Sequence, residues 1–542
     1  MAAFRLLVPL LLAAWAYAGP GIWGNSRHGV PIPDVESYEV KHKMTGEALP
    51  SLDTVYYFDQ LIDHDDPSLG TFQQRYWMSY SYYQPGGPIL LMNAGEQDAS
   101  GLIGYLTTTT ITGYLAEKLN GTVVLLEHRF FGQSNPYPDL TTESLRVLTI
   151  QQAIDDHEYF IKNVQLPMPG GDQLGPDKAP WILFGGSYPG ALTSYTMYNK
   201  PGLFAAGYAS SAVVQATSDF WGYYEPTGEY MPQNCSADVE AAIAYVDEVM
   251  GSGNATAIQA LKETFGLGEL THDDDFEWAL ATVIQTWQNL LLSSGRGQTF
   301  NKFCLSLASK DGQIAGPDGW GAEHAISAWG AFYLNGPFLP SRECRLRLTS
   351  SSWNYTLTTH LGCGSIYDSD EGRAACFNTY NSFAYGATNV NNWARSWMWL
   401  LCNEFGFWQV GGPATSPALV SRLLTPAYWE RQCTYYFPEV FSSPPDTAAA
   451  ASRTNQKYGG WDVPTERLIF LNGARDPWRE VTVAAAASPN NGSDLQPHLF
   501  GDGYHCSDML ISEGDLSPAV KAEQQQALQY FAQWLADWKP TA

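Results

Sequence analysis

The chain has 542 residues, 45% hydrophobic and only 15% charged, which excludes a disordered polymer and suits a large folded domain carrying a second, inserted one. Its net charge of −26 argues against nucleic acid as a partner, because phosphates would be repelled.

Met1 to Ala18 has a charged start, a short apolar core and Ala16-Tyr17-Ala18 at its end, and reads as a signal peptide cleaved after Ala18. No later apolar run is long enough to span a bilayer, so no membrane partner is expected. Residues 19–49 lack periodicity and read as an extended arm or removable pro-segment. The segments Tyr56 to His64 and Thr71 to Tyr80 are partly alternating and predict two opening strands. Pro88 to Met92 and Thr122 to Leu126 are continuously apolar strands, with helices expected at Gly113 to Leu119 and at Thr149 to Val164. This alternation predicts a parallel sheet covered on both faces, whose active groups gather beyond the carboxyl ends of the strands.

The next strand runs into Gly185-Gly186-Ser187-Tyr188-Pro189-Gly190 and then into a helix, which is the layout of a nucleophile elbow with Ser187 at its apex. Serine needs a base and an orienting acid, which must come from elsewhere in the chain. After one more strand at Ala205 to Ser211, residues 216–464 lose the strand pattern and read as a mainly helical insertion. The hydrolase part thus divides into residues 50–215 and 465–542. Strands resume at Arg467 to Gly473 and Pro497 to Phe500, and Ser517 to Trp538 closes the chain as a helix.

Asp476 is the first carboxylate beyond the first of those late strands, and His505 lies in the glycine-rich loop after the second. In hydrolases built on such a sheet the order along the chain is Ser, Asp, His. A lone loop histidine is ordinarily a solvated or capping side chain, but three elements arriving in this order at strand ends outweigh that. The backbone N–H of Tyr188 and one from the loop around Gly95 would hold an oxyanion. No Gly-Lys-Ser/Thr follows a glycine loop, and no cysteine pair has zinc-ligand spacing, so neither a nucleotide cofactor nor a metal is expected.

Eight cysteines in an exported chain predict disulfides, whose pairing the sequence leaves open. Asn120, Asn234, Asn254, Asn354 and Asn491 each begin an Asn-x-Ser/Thr acceptor site for glycosylation, consistent with a secreted chain or one delivered to an acidic, lysosome-like compartment.

Four ordered motifs then carry a resemblance: Thr71-Phe72-x-Gln74-Arg75-Tyr76, Glu127-His128-Arg129-Phe130-Phe131-Gly132-x-Ser134, Gly185-Gly186-Ser187-Tyr188-x-Gly190 and Asn472-Gly473-x-x-Asp476-Pro477-Trp478. From about Tyr56 onward the chain resembles the serine carboxypeptidase family of lysosomal Pro-Xaa carboxypeptidase and dipeptidyl peptidase II. It is most similar to the fungal acid prolyl endoproteases, through Leu401-Cys402-Asn403-Glu404, Tyr428 to Cys433 and His505-Cys506-Ser507-Asp508. The resemblance implies an α/β-hydrolase fold with a helical, disulfide-pinned cap between nucleophile and acid, and hydrolysis on the carboxyl side of proline, with alanine as an alternative, in peptides or proteins. It implies Trp478 and Ala191 beside a proline pocket, and offers Glu404 as an anchor for a substrate amino terminus. Exopeptidase action by the same triad, an esterase or lipase, and a binding protein on an inactive hydrolase scaffold are the alternative readings.

Overall fold

A strand that is apolar at every position must be covered on both faces, and the central strands of this chain are. In the computed structural model, which describes residues 30–33, 35, 38–335, 374 and 376–540, one sheet has eight strands. They are β1 (Tyr56–Leu61), β2 (Thr71–Ser79), β3 (Ile89–Asn93), β4 (Thr122–Leu126), β5 (Trp181–Gly186), β6 (Ala206–Ser210), β7 (Leu468–Gly473) and β8 (His498–Gly501). Their spatial order is β1-β2-β4-β3-β5-β6-β7-β8. β3 to β8 run parallel, whereas β1 and β2 pair antiparallel with their neighbours. The sheet is therefore mixed at one edge, where the short connection between β1 and β2 permits a hairpin and no crossover.

Helices α1 (Ile111–Leu119), α2 (Ile150–Asn163) and α3 (Tyr188–Asn199) cross between the parallel strands. The Thr149 side chain accepts the Gln152 N–H and starts α2 where its pattern predicts. Alternate residues of one strand serve opposite faces. Leu90 and Met92 pack with Ile111 and Leu115 of α1, whereas Ile89 and Leu91 pack with Ile154 of α2 and Leu192 of α3. The terminal helix, Pro518–Asp537, adds Phe531 and Trp534 to the first face.

Between β6 and β7 no described residue joins this sheet. Helices α4 (Gln233–Gly251), α5 (Ala255–Thr264), α6 (Asp273–Gln285), α7 (Thr299–Ala308), α8 (Ala322–Asn335), α9 (Trp393–Leu400), α10 (Pro426–Tyr436) and α11 (Thr447–Tyr458) fill the interval, with one small hairpin of Ser309–Lys310 and Gln313–Ile314. Cys235 of α4 is bonded to Cys304 of α7, and Cys402, just after α9, to Cys433 of α10. The architecture is an α/β-hydrolase fold with a helical, disulfide-pinned cap. Helix α6 stops at Gln285 and tightens into a 3₁₀ turn, Thr286–Asn289. That turn faces the sheet domain.

One cysteine departs from the disulfide expectation. Cys506 is fully buried and unbridged, with its sulfur 4.0 Å from the Ser210 carbonyl oxygen. Cys344, Cys363, Asn354 and the signal segment lie outside the described residues. Of the other acceptor asparagines, Asn120, Asn254 and Asn491 are exposed, and half-buried Asn234 donates its amide to the Ala315 carbonyl at 3.2 Å. Of the expected arm, Val30 is buried and the Pro31 carbonyl accepts the Tyr105 hydroxyl at 2.8 Å, so these residues belong to the packed domain. No helix among the described residues is long and apolar enough to cross a membrane.

Candidate active site

Ser187 sits between β5 and α3 with φ +64° and ψ −128°, a conformation that costs a non-glycine residue on the order of 1–3 kcal/mol. The surroundings hold it there. Its N–H donates to the Ser210 carbonyl of β6 at 2.9 Å, and its carbonyl accepts the Ala191 N–H at 3.0 Å. A Cβ on Gly185 would stand 2.0 Å from the Pro189 carbonyl oxygen, so only glycine lets the chain fold back this tightly. Ser187 is 6% exposed.

The acid and base loops leave β7 and β8 on the same rim. His505 Nδ1 lies 2.8 Å from Asp476 Oδ1, which also accepts the Trp478 N–H at 2.9 Å. The base loop lies over the elbow. A Cβ on Gly186 would meet Cys506 Sγ at 3.0 Å, and the Cys506 N–H donates to Ser211 Oγ at 3.0 Å. Burial works to lower the His505 pKa, but the Asp476 carboxylate dominates and holds the imidazolium well above its ordinary range. His505 Nε2, the nitrogen opposite the one facing Asp476, is buried with no hydrogen-bond partner among the described residues.

The loop after β3 differs from its expected role. Gly95 has φ +70°, and a Cβ there would stand 2.3 Å from Pro189 Cγ, so the glycine admits the elbow's own proline. Its N–H is taken by Asn93 Oδ1 at 2.8 Å, and the Ala94 N–H by the Leu126 carbonyl at 3.0 Å. Gly95 therefore shapes the loop without offering a donor. Tyr188 opens α3, so its N–H has no intrahelical acceptor. Asn93 is itself held, 2.6 Å from His157 Nε2, whose ring lies 3.1 Å from Thr196 Oγ1.

The other motifs form the frame behind the elbow. Glu127 is fully buried and accepts from Arg75, from Ser134 Oγ at 2.6 Å and from the Ala99 N–H at 3.1 Å. Arg129, also fully buried, is bonded to Asp156 and to the carbonyls of Leu61, Ile62 and Val147. His128 presents Nδ1–H to the Arg129 carbonyl at 2.8 Å, and burial pushes its pKa down to about 4. Its Nε2 is thus free to accept the Tyr188 hydroxyl at 2.9 Å, which fixes the elbow's tyrosine.

Trp478 borders His505, with ring centroids 6.3 Å apart, and packs against Phe220, Tyr223 and Phe407 at 5.4 to 5.6 Å. Ala191 is wholly buried within α3 and presents no surface to the site. Glu404 is not brought to the triad as a free anchor: its carboxylate accepts the Ile150 N–H at 3.1 Å and caps α2. Sequence reasoning missed Glu96. It is 4% exposed, within electrostatic reach of His505, bonded to its own N–H, and its Oε2 has no partner among the described residues. Burial pushes its pKa up to about 7. The only sequence signal was its place three residues beyond the β3 end.

Beneath the acid and base loops, burial and the neighbouring Asp508 push the Glu523 pKa up to about 9. Asp508, bonded to Tyr208 and Ser210 at 2.6 Å, is pushed up to about 6, chiefly by burial. A carboxyl whose folded pKa is raised stabilises the fold fully below its unfolded pKa, and that contribution is lost as pH rises through the folded value. The contribution of this pair to the melting temperature is therefore expected to decline as pH rises above the ordinary carboxylate range. Glu523→Gln should flatten that slope in a calorimetric pH series, and an unchanged slope would contradict it.

The chain matches the model of the family described as "Serine carboxypeptidase S28" over residues 60–303 and 344–527. It is similar to "Serine protease vicPb" of Bipolaris victoriae, 33% identical over 89% of this chain and 89% of that protein. A "Probable extracellular serine carboxypeptidase" of Arthroderma benhamiae is 32% identical over 86% of this chain and 64% of its own length. The human "Thymus-specific serine protease" is 27% identical over 90% of this chain and 88% of that one. Among solved structures, a proline iminopeptidase of Mycobacterium smegmatis matches over 89% of this chain and 99% of its own, at 10% identity and a TM-score of 0.33.

Proposed function

Because the chain belongs to the serine carboxypeptidase S28 family and is a serine-type peptidase, we propose that it is a secreted enzyme hydrolysing peptide bonds on the carboxyl side of proline. Ser187, Asp476 and His505 form its triad. The observation that carries this reading is the 2.8 Å contact of His505 with Asp476 on the rim where Ser187 stands, with the Trp478 indole beside them.

The steps follow from the atoms. Ser187 Oγ attacks the scissile carbonyl as His505 Nε2 takes its proton, and the Tyr188 N–H receives the developing oxyanion. The Tyr188 N–H carries this role, since in the loop after β3 the N–H groups of Ala94 and Gly95 are engaged elsewhere and that of Glu96 is bonded to its own carboxylate. The imidazolium, stabilised by Asp476, then protonates the leaving amine as the C–N bond breaks, and water hydrolyses the acyl-enzyme by the same path. The flat indole of Trp478, backed by the buried rings of Phe220 and Phe407, suits a pyrrolidine ring, which has no N–H to satisfy. The signal sequence and the exposed acceptors Asn120, Asn254 and Asn491 support secretion.

A second reading, release of amino-terminal dipeptides, draws on Glu96, whose buried, unpartnered oxygen is the acceptor that an α-ammonium needs. Mass-spectrometric mapping of cuts in a proline-rich protein and in blocked and unblocked short peptides separates the two. Internal cuts after proline are expected. Cuts without regard to proline would overturn the specificity, and loss of all cutting on amino-terminal blocking would favour the exopeptidase.

A further inference from the structure

We propose that Gln288, in the helical cap, is a positioning residue that sets substrate selectivity by holding the Trp478 indole in place beside His505. The side-chain oxygen of Gln288 accepts both the Trp478 Nε1–H at 2.8 Å and the Tyr223 hydroxyl at 3.0 Å. All three side chains are at least nine-tenths buried, so neither bond is exchanged for one with bulk water. A tryptophan packed only by rings could slide along their faces, whereas one tethered at its single polar atom has its plane fixed.

The adjacent residue supports the same function. Trp287 Nε1 donates to the Arg475 carbonyl at 2.8 Å, one residue before Asp476. Its ring lies 5.1 Å from that of Tyr504, one residue before His505. Five residues on, the Leu292 N–H donates to Glu513 Oε2 at 2.6 Å. One short cap segment therefore grips both loops that carry the acid and the base, and Gln288 is the member that reaches the pocket wall.

The proposal rests on the reading of Trp478 as a pocket wall, and a double-mutant cycle separates the two. Kinetics are measured for wild type, Gln288→Leu, Trp478→Phe and the pair, on whichever peptide the wild type cleaves best. The rate of fluorophosphonate labelling at Ser187 is followed in parallel. Each single substitution is expected to lower kcat/KM about tenfold, mainly through KM, with labelling changed less than about threefold. The pair should fall no more than about twofold below Trp478→Phe alone, and Gln288→Glu, which keeps an acceptor, should recover most of the loss. Additive losses of about a hundredfold, or labelling that falls in step with hydrolysis, would overturn the proposal. If Gln288→Leu does not fold, Gln288→Met removes the same oxygen at closer length. Should Trp478→Phe leave kcat/KM unchanged while Gln288→Leu lowers it, the pocket reading fails separately.

Discussion

Ser187→Ala should reduce kcat by about 10⁴- to 10⁶-fold while leaving the protein folded. The side chain makes no capping bond to α3, and the elbow is held by main-chain bonds to Ser210 and Ala191 that alanine retains. The loss should therefore fall on chemistry, with KM little changed and with no labelling by fluorophosphonates. A folded variant that turns over within about tenfold of wild type would show that the attacking group lies elsewhere.

Asp476→Asn should cost about 10⁴-fold in kcat, for a different reason. Asp476 Oδ1 accepts from two donors, His505 Nδ1 and the Trp478 N–H, and an amide oxygen in that place keeps both bonds. What disappears is the negative charge that holds the His505 imidazolium above its ordinary range. The apparent pKa of the rising limb of kcat/KM against pH should accordingly move to lower pH as activity collapses. If the limb stays in place, the base is governed by some other charge. In the unmodified enzyme that limb is expected to report the neutral form of His505, at a pH raised by Asp476.

The candidate triad was legible because each member stands directly beyond an apolar strand, and strand and loop are local properties of the chain. The core followed for the same reason, since the uninterrupted apolar runs of β3 to β7 have to be covered on both sides. What stayed hidden was pairing over distance. Gln288 meets Trp478 across 190 positions, and Glu404 meets Ile150 across 254, and such bonds leave no periodic trace. Gly95 shows a subtler failure. Its loop was expected to supply an oxyanion donor, but the glycine admits Pro189 and its N–H is bonded to Asn93. Cys506 shows that an even count of cysteines does not guarantee that each is bridged.

The sheet is assembled from two separated runs of sequence. β5 and β6 precede the cap, whereas β7, which pairs directly with β6, follows it. On a ribosome adding roughly 5–20 residues per second, the serine emerges on the order of tens of seconds before its histidine. Throughout that interval one flank of β6 is open and the hydroxyl has no base, so a nascent chain is proteolytically silent. Competence arrives only when the carboxyl-terminal strands dock. A chain truncated before residue 505 would lack the proposed base altogether.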